Sequence, residues 1–162
     1  MKEFMSGLAI LFFSTVTYCA ETDPRVDLVV DLYKEYAWEA VIEEPMDGTT
    51  IHLAPVTTLR HFFTEELSQL IVADREYMAR THEIGRIDFA LLWASQDPDA
   101  TRLKIRSSSS PDEVEVSYTS PSNRSEIRII YEVSLLSSGE ARISDIRYGH
   151  AGSLKASLQA PQ

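Results

Sequence analysis

Hydrophobic positions fall into two regimes along the 162-residue chain, three- and four-residue steps in the first half and two-residue alternation from Thr101 onward. Ahead of both lies a continuous apolar run. In the first regime Val26, Val29, Val30, Tyr33, Ala37, Ala40 and Val41 line one side of a helix predicted from Pro24 to Ile42, with Asp23 or Thr22 as N-cap and Pro24 at the first helical position. Asp27, Asp31, Lys34, Glu35 and Glu39 form its solvated face. Pro45 and Asp47-Gly48 mark a loop. A second helical region is expected after Pro55, carrying Leu59, Phe62 and Phe63, and a third from Thr64 as N-cap through Leu67, Leu70 and Ile71 to Met78.

In the second regime Leu103 and Ile105 alternate with Arg102, Lys104 and Arg106, and Val114, Val116 and Tyr118 alternate with Glu113, Glu115 and Ser117. These segments read as two half-buried strands of a hairpin. Pairing Ile105 with Val114 sets Lys104 opposite Glu115 and Arg106 opposite Glu113, which accounts for the basic residues without a ligand. A third strand, Ile127 to Leu135, presents Ile127, Ile129, Tyr131, Val133 and Leu135 to one face, and the Ser137-Ser138-Gly139 turn returns the chain into a fourth, Ala141 to Tyr148. Helices followed by strands predict an α+β domain, with N-terminal helices packed on a curved antiparallel sheet of about four strands, an arrangement that resembles the cystatin-like or nuclear transport factor 2-like cone.

The apolar run at the start decides the compartment. Phe4 to Val16 carries no charge, follows Lys2, and is too short to span a bilayer, which is the layout of a secretory signal. Cleavage is expected after Cys19 or Ala20, dividing the chain into a signal at 1–20, a single domain at 21–158 and a disordered tail at 159–162. The predicted location is periplasmic or secreted. Cys19 is the only cysteine, so the alternative is a lipoprotein anchored to the membrane through it, and a non-lipidated mature domain has no disulfide or thiolate metal site. The formal charge of −10 disfavours nucleic acid and anionic lipid as partners.

Two segments carry a resemblance. Ile87-Asp88-Phe89 leading to Trp93-Ala94-Ser95-Gln96-Asp97, and the closing strand Ala141 to Tyr148 followed by Gly152-Ser153-Leu154 and Leu158, resemble the bacterial exported proteins grouped as domain of unknown function family 3828. The Phe62-Phe63-Thr64-Glu65-Glu66-Leu67 helix entry also fits. The resemblance implies an exported cone-shaped domain and no established activity.

Standard enzyme motifs are absent from the sequence, and His52, His61, His82 and His150 stand at no metal-binding spacing, so no metal or cofactor is expected. The chemically awkward residue is Asp145, on the same strand face as Ile143. If Leu135 pairs with Ala141, Tyr131 faces Asp145, setting a carboxylate beside a phenol on the apolar side. The predicted pocket lining is Tyr131, Asp145, Arg147, Trp93 and Asp88, with Asp145 and Tyr131 the candidate acid/base pair. In the alternative Asp145 accepts hydrogen bonds from Arg147, Tyr131 or a backbone amide and only closes the sheet mouth.

The leading functional expectation is a non-enzymatic binding domain that recognises a small ligand or a protein partner, for instance as inhibitor of a basic cell-wall hydrolase. The alternatives are a small enzyme using Asp145 and Tyr131, or a lipoprotein tethered through Cys19. A homodimer through an outer-face patch of Ile130, Leu136, Ile146 and Tyr148 is a further expectation.

Overall fold

Asp23 lies in extended backbone and its carboxylate accepts the Arg25 N–H at 3.0 Å, while Pro24 occupies the first helical turn, so helix α1 (Pro24–Tyr36) begins where the sequence places it. The computed structural model describes residues 23–40, 50–149 and 152–160. The α-helix stops earlier than expected: after Tyr36 the chain tightens into a 3-10 turn, Ala37–Ala40, a common way for a helix to close its last turn. Val41, Ile42, Pro45 and the Asp47-Gly48 turn lie outside the described residues, as do Cys19 and the whole 1–20 segment.

Helix α2 (Val56–Phe62) follows Pro55, and α3 (Glu65–Thr81) follows Thr64, whose hydroxyl accepts the Leu67 N–H at 3.4 Å. Glu65 and Glu66 in the first turn of α3 suit its positive end. α3 runs almost a turn past Met78 and is ended by His82 in left-handed backbone, φ 59°. Between α2 and α3 the chain is extended: Phe63 bridges Ile143 in parallel, and the Thr64 N–H donates to the Ile143 carbonyl at 2.9 Å.

Four strands, β1 (Thr101–Ser107), β2 (Glu113–Thr119), β3 (Glu126–Leu135) and β4 (Ala141–Arg147), form one antiparallel sheet in sequential order. Their inner residues, Val114, Val116, Ile129, Tyr131, Val133, Ile143 and Ile146, are buried together with Leu32 of α1, Phe62 of α2 and Leu67 and Ile71 of α3. The class is α+β, with the apolar sides of the helices and the inner sheet face sharing one core.

Four details depart from the sequence reading. The β1/β2 register is two residues away: Ile105 pairs with Val116, Arg106 with Glu115, and Lys104 with Ser117. Hydrophobic alternation has a period of two, so this shift leaves every side chain on its predicted face. β1 is also an edge strand, with Leu103 exposed rather than half-buried. Second, β4 contains a bulge. Val133 still faces Ile143, but Glu132 pairs with Asp145 and Tyr131 with Ile146, leaving Ser144 as the extra residue. The bulge reverses the alternation beyond it, so Ile146 and Tyr148 turn into the core, and the expected outer patch loses both.

Third, a short helix, α4 (Leu154–Gln159), is capped by Ser153, whose hydroxyl accepts the Ala156 N–H at 3.0 Å. The sequence reading left this segment without an element and began its tail at Gln159. Fourth, Leu135 is exposed at the end of β3 instead of inside. The outer edge of β4 is covered by Phe63 and Thr64 at one end and by a bridge from Ser153 to Arg147 at the other. Among the described residues no strand pairs with the outer edge of β1, which carries Arg102, Lys104 and Arg106, the charged kind of edge that resists further strand addition.

Candidate functional site

Beneath the helices runs an irregular segment, Ile87 to Trp93, buried at Ile87 and at Leu91 to Trp93, whose backbone needs partners that no helix or strand ladder supplies. Asp74 of α3 holds its start, one carboxylate oxygen accepting the Arg86 N–H at 2.8 Å and the other the Ile87 N–H at 3.0 Å. Gly85 lets the segment approach α3 this closely, because a Cβ there would lie 2.6 Å from the Asp74 carboxylate. Three tyrosines hold its end by donating to consecutive carbonyls: Tyr148 to Leu91 at 3.2 Å, Tyr33 to Leu92 at 2.6 Å, and Tyr118 to Trp93. Trp93 packs edge-on between Tyr33 and Tyr118, with ring centroids 5.4 and 5.2 Å away.

Burial pushes the phenols of Tyr33 and Tyr148 well above their usual range, neighbouring tyrosines adding to the shift, and pushes Tyr118 up to about 12. All three therefore remain neutral donors at ordinary pH. Tyr131 is fully buried with its hydroxyl 3.1 Å from that of Tyr33. The rings of Tyr33, Trp93, Tyr118 and Tyr131 thus share the core, with the hydroxyls of Tyr33 and Tyr118 on backbone carbonyls.

The two residues proposed as an acid/base pair do not face each other. Because of the bulge, Tyr131 meets Ile146, while Asp145 stands at the edge of β4 and points its carboxylate at the start of α4. One oxygen accepts the N–H groups of Ile146 at 2.7 Å and Lys155 at 2.9 Å, and the other accepts the Ser153 hydroxyl at 2.5 Å. These donors make Asp145 a clamp between strand and helix. The expected pairing with Tyr131 fails because an extra residue, Ser144, separates them in register. Of the remaining predicted lining, Trp93 is buried in the core, Arg147 binds Glu113 and lies 3.3 Å from Glu132 on the outer sheet face, and Asp88 is exposed and accepts the Gln96 amide at 3.1 Å. The structure scatters these residues over core, edge and surface.

It assembles a different group. On the outer sheet face, beside the β1 edge, a groove of about 360 Å³ is lined by Arg102, Lys104, Ser117, Tyr118, Thr119, Arg124 and Glu126. Small side chains at Ser117 and Thr119 of β2 leave room between the longer ones on either side. Arg102 belongs to an irregularity in β1 between Thr101 and Lys104, and takes left-handed backbone with φ 57°. Arg124, in the β2–β3 turn, does the same with φ 58°.

That turn is tied down from several sides. Asp99 accepts the Ser120 hydroxyl and the Ser122 N–H, both at 2.7 Å, and these bonds hold its carboxyl below the usual range. Asn123 accepts the N–H of Ser125 at 3.0 Å, and the Arg124 N–H reaches the Ser120 carbonyl at 2.8 Å. Among the described residues Arg102, Lys104 and Arg124 make no ion pair, whereas Arg106 binds Glu115 at 2.6 Å. Sequence reasoning missed the groove because its register gave Lys104 the glutamate that belongs to Arg106.

The histidines are dispersed. His52 is partly buried, which pushes its imidazole pKa below the ordinary value; His61 sits edge-on against Phe62; His82 ends α3; and His150 lies outside the described residues. Comparison of the chain with protein-family models, with curated proteins and with solved structures gives no match.

Proposed function

We propose that the chain is an exported, non-enzymatic binding domain that recognises a basic protein partner through the acidic surface of its helical layer. The observation that carries this reading is the segregation of charge. Residues 101–147 contain seven Lys or Arg and seven Asp or Glu, so the whole formal charge of −10 belongs to the rest of the chain. Lys2 and Glu3 cancel, and outside the sheet region the described residues 23–40, 50–100 and 152–160 hold thirteen Asp or Glu against seven Lys or Arg. Glu35 of α1 and Glu76 of α3 are exposed and make no ion pair among the described residues. Such a field accelerates encounter with a cationic surface and penalises an anionic one.

The packing of Tyr33, Trp93, Tyr118 and Tyr131 in the core supports recognition at the surface. The uncharged run Phe4 to Val16 supports export, and the order of helices then sheet supports the cystatin-like, nuclear transport factor 2-like reading. A cationic peptidoglycan hydrolase is the proposed partner, and binding is expected to inhibit it. The test is association with such a hydrolase at about 0.1 M and about 1 M salt, between which the screening length falls from about 10 Å to about 3 Å. The on-rate is expected to fall at least about tenfold, the scale of electrostatic steering. Equal association at both salt concentrations overturns the reading.

A further inference from the structure

Seven cations lie between residues 101 and 147, and four of them, Arg106, Arg128, Arg142 and Arg147, are matched by Glu115, Glu126, Glu140, and Glu113 with Glu132. The remaining three, Arg102, Lys104 and Arg124, are the cations that line the groove. Facing them is one carboxylate, Glu126, itself 3.4 Å from Arg128. The lining therefore carries a net charge of +2 in a chain of −10, and the Ser117 and Thr119 hydroxyls at its floor donate to no other side chain among the described residues.

Two of the three cations also occupy backbone that an L-residue adopts at a cost. Four described non-glycine residues have positive φ, and two of these, Arg102 and Arg124, line the groove. Glycine would be accommodated there with less strain. Strain retained at a charged side chain, in a turn fastened by Asp99 and Asn123, is what a preorganised binding site looks like.

We infer that this groove is a binding site for a small molecule bearing a phosphate monoester. The charge sets the class: a net +2 lining matches a phosphate dianion better than a monoanionic carboxylate. The donors fit as well, since two guanidinium forks and an ammonium supply charge-assisted hydrogen bonds to three phosphoryl oxygens. The hydroxyls of Ser117 and Thr119, and the free face of Glu126, then meet hydroxyl groups on the rest of the molecule. A groove of about 360 Å³ lies at the lower end of ordinary small-ligand sites and admits a phosphorylated sugar. The site is on the opposite layer from the acidic helical surface and takes a ligand of opposite charge, so it stands apart from the partner proposed above.

The experiment is a titration of glucose 6-phosphate followed by its phosphorus NMR signal, with glucuronate and glucose as competitors. The unaltered protein is expected to give a saturable shift that glucose does not reverse, that glucuronate reverses only at about tenfold or greater excess, and that strengthens as pH rises through the phosphate pKa near 6. Lys104→Gln and Arg124→Gly are each expected to weaken binding at least about tenfold. Arg60→Gln, which removes an ion pair to Glu65 on the helical side, leaves it unchanged. Arg124→Gly places glycine at φ 58°, so its thermal midpoint is expected to stay level or rise, separating lost binding from lost folding. No saturable shift, variants that bind like the unaltered protein, or glucuronate competing on equal terms overturns the inference. Hydrolase association unaffected by Lys104→Gln and Arg124→Gly keeps that outcome distinct from the fate of the acidic face.

Discussion

Asp145 is a buried carboxylate that accepts from two backbone N–H groups and a serine hydroxyl, and its removal leaves those donors stranded. Each buried donor left without a partner costs about 1–3 kcal/mol, so Asp145→Ala is expected to lower unfolding free energy by about 3 kcal/mol in urea denaturation. Asp145→Asn, which keeps one acceptor oxygen, is expected to lose less. Equal midpoints for Asp145→Ala and the unaltered protein would contradict the clamp. The sequence marks Asp145 as anomalous because a carboxylate interrupts an apolar strand. It does not disclose the partners, since Ser153 and Lys155 come to it only through the fold of the chain after Tyr148. Asp74 escapes notice for a similar reason: on a helix of mixed character it reads as one more surface acid, and its true partners are the N–H groups of Arg86 and Ile87.

Elements were legible where a local rule acts. Asp23-Pro24 and Thr64 set the helix starts through caps, and alternation delimits the four strands. Register was not legible, because the Ser108 to Asp112 connection admits pairings two residues apart with the same faces, and only one of them gives Arg106 to Glu115. The β4 bulge was hidden too: Ile146 and Tyr148 share a parity with Ser144, so a regular strand sends all three outward. An extra residue explains both tyrosine and isoleucine turning inward, and it predicts an asymmetry between deletions. Removing Ser144 keeps Ile146 opposite Tyr131 and is expected to give a folded protein that has lost the Asp145 clamp, destabilised by about 3 kcal/mol. Removing Arg142, which precedes the bulge, puts Ile143 out of phase with Val133 and is expected to abolish cooperative thermal unfolding. Both outcomes can be read by circular dichroism melting.

On the scale of the molecule, a helical layer with an excess of acidic residues covers a sheet region whose seven cations and seven anions balance overall, with an excess of cations at one corner. Between the layers lie Tyr33, Tyr118 and Tyr148, each with a pKa held above the unfolded value near 10 by burial. The folded state keeps protons there that the unfolded chain would release, so this contribution to stability is complete below about pH 10 and is lost as pH rises beyond it. In an alkaline titration the phenolate absorbance of these three is expected to appear together with loss of tertiary circular dichroism. Their ionisation at about pH 10 in a protein that remains folded would contradict the arrangement. The same three hydroxyls have a kinetic meaning. They reach Leu91, Leu92 and Trp93 across 57, 59 and 25 residues of sequence, from a strand end, a helix and a central strand. The β2–β3 and β3–β4 hairpins close over short turns and are expected to form early, and the Leu91 to Trp93 segment is expected to gain its partners after all three elements have docked. Its hydrogen bonds are then expected on the native side of the folding barrier, so that Tyr148→Phe speeds unfolding and leaves the folding rate unchanged in stopped-flow denaturation.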